Sequence, residues 1–447
     1  MVELESTYGV PTVAVHVSVF AGLVASTVKM HGMPKARQVF VPTPVLNKSP
    51  ADLRGYVEGD DPVRHRPLMT EVFEELTRPL APEDLRGTGF DRSTPRLLEP
   101  DTEENLHRLF MDRRWTDFLP IVLPTEERVE AMLRGTSHPS DEVVGRLRPT
   151  GGWEAWEFDV EKVAVNAVMA GAAPEHFPVI LALAASGDTA RNASMSSMGR
   201  MVVVNGPIRD ELSMNSGIGA MGPFSHANSA IGRGFGLLSQ NLQGGSVPGF
   251  SYQGSQGNNL AYNSCTFAEN EEDSPWAPFH VRQGFTKDES AVTIFWVWGY
   301  FWVEHLRPYW QEKLQSMLAS MEPSFGVTFV VDPIVAREFV ERGFDTPEKI
   351  AGWVHEQVTI PRRRYWDHIS LVSSTRAAVD GGVEPWASYW NAAPDDPIPV
   401  FEPNRVHVVV AGGATNGDFY VFMGSARRAR FGAAGASSSS MSIDAWR

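Results

Sequence analysis

Two β-branched runs that stop at glycine turns constrain this chain more than any other feature. Met201-Val202-Val203-Val204 breaks at Asn205-Gly206-Pro207, and Val406–Val410 breaks at Ala411-Gly412-Gly413-Ala414-Thr415-Asn416. Runs this apolar suit strands buried on both faces. In an α/β fold, glycines directly after a strand line the ligand crevice at the carboxyl ends of the strands. Asn205, Gly412, Gly413 and Asn416 are therefore candidate substrate-binding residues.

The rest of the chain follows the same grammar. Residues 10–15 read as a buried strand, residues 20–30 as a helix and Gln38–Val41 as a second strand ending at Pro42. The last turns of another helix precede them over residues 2–7, stopping at Tyr8-Gly9. This is doubly wound α/β alternation, entered without its first strand. Residues 1–46 are thus read as a partial unit of that kind. Residues 47–110, polar and punctuated by proline, read as a connecting arm holding one helix over residues 68–76. A larger α/β domain, residues 111–447, carries the rest. It opens with a helix over residues 126–134 capped by Thr125, and apolar helices over residues 160–170 and 174–185 follow. Residues 292–302, rich in aromatic and β-branched side chains, read as a strand buried on both faces, more core than substrate wall. Residues 310–321 have helical spacing; Val327–Val331 then reads as a strand, and helices over residues 333–342 and from Thr346-Pro347 follow. The small, serine-rich residues 432–442 read as a loop.

Composition limits the function classes. A formal charge of −15 argues against nucleic acid or an anionic membrane as partner. One cysteine excludes an intrachain disulfide. No signal-peptide pattern or long apolar run appears, so the reading is a soluble, cytoplasmic protein with a small-molecule substrate, expected as an oligomer.

Between residues 200 and 284 glycine, asparagine and paired charge sit among apolar segments, a poor recipe for core and a good one for a site. Glu269, Glu271 and His280 are the candidate acid–base residues, with Glu269 and Glu271 on one face of an extended chain and Glu272 on the other. Cys265 is a candidate nucleophile; the acidic surroundings work against a thiolate, and an inert buried thiol is the plainer reading. Arg209 and Arg233 are candidate clamps for a carboxylate or phosphate, with pairing to Glu211 or the acidic cluster as their structural alternative. Asn228 joins the substrate-binding set. Asn166 in an apolar helix and His176 beside Glu175 are candidates to support it from behind. Gly232-Arg233-Gly234-Phe235-Gly236 is too loose for a dinucleotide fingerprint, no Walker pattern appears and no strong zinc spacing is present, so no cofactor or metal is assigned.

Glu3-Leu4-Glu5, Gly9-Val10-Pro11-Thr12-Val13, Phe20, Gly32-Met33-Pro34 and Val41-Pro42 are similar to the second half of the UGSC-like domain, named for a selenocysteine or cysteine followed by Gly-Ser-Cys. The main body resembles the large region that accompanies that domain in bacteria. The matching pieces are residues 165–171, Pro174-Glu175-His176, residues 204–208, residues 227–233, residues 268–272, Ser274-Pro275-Trp276 and residues 278–281. The motif that names the family would lie just before Glu3. The resemblance therefore implies a loop supplied by a separate small subunit, removed by cleavage, or lost to a late start at a selenocysteine codon; Cys265 is not its equivalent. It implies thiol- or selenol-assisted cleavage or reduction of a carbon–heteroatom bond, by analogy with selenol-dependent reductases. Two other classes stay open: a metal-dependent hydrolase or hydratase using Glu269, Glu271 and His280, and a non-catalytic subunit of a hetero-oligomer.

Overall fold

The computed structural model describes residues 4–5, 8–30, 33, 35–45, 48–79, 81, 95–146, 157–191, 198–243, 256–304, 306–323, 326–426 and 440–447. The fold is α/β. Strand β1 (Ala14–Val17), helix α1 (Ala21–Met30) and strand β2 (Gln38–Val41) form one parallel unit, Ala14 facing Gln38 and Val17 facing Val41. The first strand starts four residues later than expected and is only half buried. Pro11 has no N–H to give a ladder, and Thr12 instead donates its backbone N–H to Glu5 Oε1 at 2.9 Å. Of the helix expected over residues 2–7, only Leu4 and Glu5 are described; both are helical, and Gly9 ends the segment at φ 64°.

The segment expected to be an arm without a core divides between two bodies. Helices α2 (Pro50–Glu58) and α3 (Leu68–Thr77) pack Tyr56, Leu68 and Val72 onto Val39 and Val41 of β2. Asp61, fully buried, accepts the Phe40 N–H at 2.8 Å. Helix α4 (Glu103–Asp112) instead sends Phe110 against Ile121, Met169 and Leu237 of the main body.

The main body opens with α5 (Glu126–Leu133), whose Thr125 hydroxyl accepts the Arg128 N–H, and a short hairpin, β3 (Val143–Arg146) with β4 (Glu157–Asp159). Helices α6 (Val160–Met169) and α7 (Phe177–Ala185) lead to β5 (Gly199–Asn205), α8 (Ile208–Glu211), α9 (His226–Asn241), β6 (Thr266–Ala268), α10 (Phe279–Arg282) and β7 (Ala291–Glu304). Helix α11 (Trp310–Leu318), β8 (Val327–Val331), α12 (Pro333–Glu341) and α13 (Pro347–Gln357) follow; a small pair, β9 (Thr359–Pro361) and β10 (Pro397–Pro399), precedes β11 (Val406–Val410), β12 (Asp418–Ala426) and β13 (Ser440–Ser442). The large sheet runs β11-β8-β12-β7-β5-β6, with β13 paired to the start of β7. Strands β5, β6 and β12 run one way; β7, β8 and β11 run the other.

The sheet curls until its edges meet. Asn270, just past β6, donates its backbone N–H to Val410 O of β11 at 2.8 Å. Side-chain alternation then separates an inside from an outside. Met201, Val203, Phe267, Phe295, Val330 and Phe422 pack inside. Outside, Val202 and Val204 meet α6, α7 and α9, while Val327, Phe329 and Val331 meet α12 and α13. At about 1.5–3 kcal/mol for each large apolar side chain buried, both layers stabilise the curl. Strand β7 is buried on both faces only in its first half; beyond Val297 it opens, leaving Tyr300 44% and Trp302 48% exposed. Of the serine-rich stretch, residues 432–439 lie outside the described residues. Ser440–Ser442 is a strand rather than a loop, with Ser440 Oγ 2.6 Å from the buried Thr293 Oγ1.

Candidate functional site

A cavity of about 530 Å³ opens where β8 and β11 end and β12 begins. Its floor is inside the curl, at Cys265, Val330 and Phe422; Tyr300 and Tyr420 stand at its side. Gly412 and Gly413 form part of the rim with Thr415, while Asn416 is exposed and outside the lining. Tyr300 makes an aromatic wall after all, edge-on to Tyr420 at 5.4 Å and tilted on Phe422 at 5.0 Å.

The opposite wall is a loop, residues 218–222, and Asn228 fixes it. That side chain is fully buried. Its Oδ1 accepts from Asn215 N–H (3.1 Å) and Ser225 Oγ (2.9 Å), and its Nδ2 donates to Asn215 O (2.9 Å) and Ala220 O (3.2 Å). All its hydrogen-bonding capacity is used, so Asn228 shapes the cavity rather than touching what enters it.

Cys265 faces the cavity, but as a thiol. Burial pushes its pKa up to about 12, and no histidine, lysine or arginine is among the described lining residues. A nucleophilic thiolate needs such a neighbour or a helix N-terminus.

The acid–base residues lie one step behind the rim. Asn205 ends β5, and Gly206, at φ 83°, makes a turn so close that a Cβ would stand 2.2 Å from Glu289 O. Asn205 Nδ2 donates to Glu269 Oε2 (2.5 Å) and to Glu271 Oε1 (3.0 Å), and the Gly206 N–H also donates to Glu271 Oε1 (2.8 Å). Glu269, 1% exposed, further accepts the Phe279 N–H at 2.7 Å and the Val410 N–H at 3.4 Å. Burial raises its carboxyl above the usual range, against the pull of Arg282 and of these hydrogen bonds. Glu272 lies on the other side and binds Arg209 Nη2 at 2.7 Å.

Arg209 is fully committed. Its Nε donates to Gly206 O (3.1 Å), Nη1 to Glu269 O (2.9 Å), and Nε stands 3.1 Å from Glu271 Oε1. It locks the turn and is no clamp for a substrate anion. His280 is wholly buried, its ring beside the backbone of Thr286 and Lys287 without a well-aligned hydrogen bond; Nδ1 is 3.8 Å from Glu271 Oε1. Burial lowers its pKa, with Glu271 opposing. The cluster can hold a proton on Glu269 beside a neutral imidazole. None of its side chains lines the cavity, although Val410 and Asn270 tie it to Ala411 and Gly412, which do. Among the described residues no three His, Cys, Asp or Glu side chains are gathered so as to hold a metal ion.

The remaining candidates lie elsewhere. Arg233 forms a forked pair with Asp117 (3.0 and 2.9 Å) and donates to Leu119 O, pinning α9 to the segment after α4. Asn166 donates to Lys162 O and accepts from Asn241 Nδ2 at 2.8 Å, a helix-to-helix tie. His176 accepts the Ala173 N–H and lies edge-on to His226 at 5.0 Å; burial and that neighbour lower its pKa to about 4. Sequence reasoning missed Asp332, Asp418, Tyr420, Asn259 and Asn263, all of which line the cavity. The signal was present for two of them: Asn416-Gly417 before an apolar run is a strand start.

Fold and site define an α/β protein with a curled mixed sheet and a cavity of small-molecule size at its strand ends. No protein-family model matches the chain, and no curated protein or solved structure matches it. No helix among the described residues is long and apolar enough to cross a membrane.

Proposed function

We propose that the chain is an enzyme, or the large subunit of one, that takes a small molecule into the cavity and has its carbon–heteroatom bond cleaved or reduced by a thiol or selenol brought by a partner. The observation that carries this reading is the state of Cys265. The cavity holds a thiol at its floor, yet burial pushes that thiol up to about 12 with no histidine, lysine or arginine among the described lining residues, so on this reading the reacting sulfur or selenium is brought by a partner. The resemblance of residues 3–42 to the second half of a UGSC-like domain supports a partner carrying Cys- or Sec-Gly-Ser-Cys, and the parallel β1–α1–β2 unit is the kind of element such a loop would adjoin. The cluster of Glu269 and His280 behind the rim holds that end of the cavity in place.

Native and denaturing intact mass of the protein isolated from its source under reducing conditions tests this. A companion, or a longer form of this chain, bearing the Cys- or Sec-Gly-Ser-Cys sequence is expected, and alkylating it abolishes turnover. If the chain is alone and active as it stands, the reading falls.

A further inference from the structure

We infer that the cavity takes an organic cation: a small molecule with an ammonium or comparable positive centre on an apolar body. The inference rests on the reading that the cavity is the ligand site. Its described lining contains two carboxylates, Asp332 and Asp418, and no lysine, arginine or histidine. An anion would meet two like charges with nothing to neutralise it, inside a chain of net charge −15. The arginines suited to anions are occupied elsewhere, Arg209 by Glu271 and Glu272 and Arg233 by Asp117.

Asp332 is held in place by backbone donors rather than by a cation among the described residues. It is 8% exposed, and three backbone N–H groups hold its carboxylate: Val335 on Oδ1 (2.9 Å), Gly417 (2.9 Å) and Asp418 (3.0 Å) on Oδ2. Oδ2 has both of its acceptor sites filled and Oδ1 has one left. Neither Asp332 nor Asp418 forms an ion pair with a described residue. Beside them Tyr300, Tyr420 and Phe422 present rings at mutual angles of 84° and 36°. Aromatic side chains beside carboxylates suit a positive centre carried on an apolar body. Asn259 and Asn263 complete the lining.

Calorimetric titration of the full chain with three compounds of similar size tests the assignment: benzyltrimethylammonium, its neutral isostere neopentylbenzene presented in a small fraction of cosolvent, and benzoate. The cation is expected to bind at least about tenfold more tightly than either other compound. Asp418→Asn and Tyr300→Ala, both at partly exposed positions, are each expected to weaken the cation by about tenfold and to leave the neutral compound's binding less affected. Equal or stronger binding of benzoate, no binding of the cation at millimolar concentration, or cation binding indifferent to both substitutions would overturn the inference. None of these outcomes bears on whether a thiol- or selenol-carrying companion exists, which the mass measurement reads separately.

Discussion

The amide of Asn205 holds the carboxylate of Glu269, Nδ2 to Oε2 at 2.5 Å, in a place water does not reach: Asn205 is fully buried and Glu269 1% exposed. Replacing that donor by a third carboxyl sets like charges together. Asn205→Asp is expected to lower the unfolding free energy by about 3 kcal/mol at about pH 7.5. The wild-type group already works in this sense. Burial raises the folded pKa of Glu269, so its contribution is full at low pH and is lost as the pH rises through that folded value. The defect of Asn205→Asp therefore shrinks at about pH 5. Urea denaturation at both pH values reads it, and equal losses would show that charge is not the cause.

His280 gives the opposite slope. Its folded pKa is depressed, so the native state keeps a neutral ring that the unfolded chain protonates, and stability is lost as the pH falls below the unfolded value of about 6.5. Neither ring nitrogen makes a well-aligned hydrogen bond, with only the Thr286 and Lys287 backbone beside them. His280→Phe is thus expected to change stability by no more than about 1 kcal/mol at neutral pH and to flatten the loss on acidification. A large neutral-pH penalty would mean that the ring is bonded in solution.

For Cys265, a pKa near 12 against an ordinary value of about 8.5 leaves on the order of 10³-fold less thiolate than a free cysteine. Reaction with a disulfide reagent at about pH 8 is expected to be slower than in denaturant by at least that factor. Cys265→Ala should retain any activity the assembly shows; abolition of turnover without loss of fold would make Cys265 the nucleophile.

Breaking the Arg233–Asp117 fork leaves a carboxylate that is mostly buried. Burial alone would push Asp117 up, but Arg233 outweighs it and holds the carboxyl below the usual range. Its stabilisation is present above the unfolded value and is lost as the pH falls through the folded one. Arg233→Ala is expected to cost about 2–3 kcal/mol at neutral pH, less in acid, and to leave cation binding in the cavity unchanged. A loss of binding with full stability would restore Arg233 to the site.

Helix α9 reaches the cavity turn only because residue 232 is glycine: a Cβ there would stand 1.9 Å from Asn263 O and 2.4 Å from Thr266 Oγ1. Gly232→Ala is expected to destabilise by about 1–3 kcal/mol and to weaken ligand binding by displacing Asn263. Thermal unfolding together with titration checks both, and a variant that is normal in each would contradict the close approach.

Much of this fold was legible because local chemistry marks it. Gln38–Val41, Val327–Val331 and Val406–Val410 are β-branched runs closed by Pro42, Asp332 and Ala411-Gly412, and they fold between those limits. Thr125 and Thr346 announced their helices by the cap each supplies. Gly412 and Gly413 were read as a rim by the rule that glycines follow strands at a crevice, and they line the cavity. The site's charges misled for a physical reason. Arginine, glutamate and asparagine concentrate between residues 200 and 284, but spacing along the chain does not say which of them satisfy one another; Arg209 and Asn228 do so almost completely, and Asn205 spends its amide N–H groups on Glu269 and Glu271. The groups left to face a ligand come from three separate stretches, Tyr300, Asp332 and the Asp418–Tyr420 pair, which meet only through the order of strands.

That order has a consequence for synthesis. Strand β12 lies between β7 and β8 although it is made more than seventy residues after β8 begins. While the chain is still emerging from a ribosome, β7 and β8 have no common neighbour, and each offers an unpaired edge rich in valine and aromatic residues. Long-range pairing of this sort is slow and exposed to aggregation. A product cut short before residue 418 would lack Tyr420 and Phe422 and would carry two adhesive edges, so incomplete chains are both siteless and sticky, and the cell has reason to destroy them.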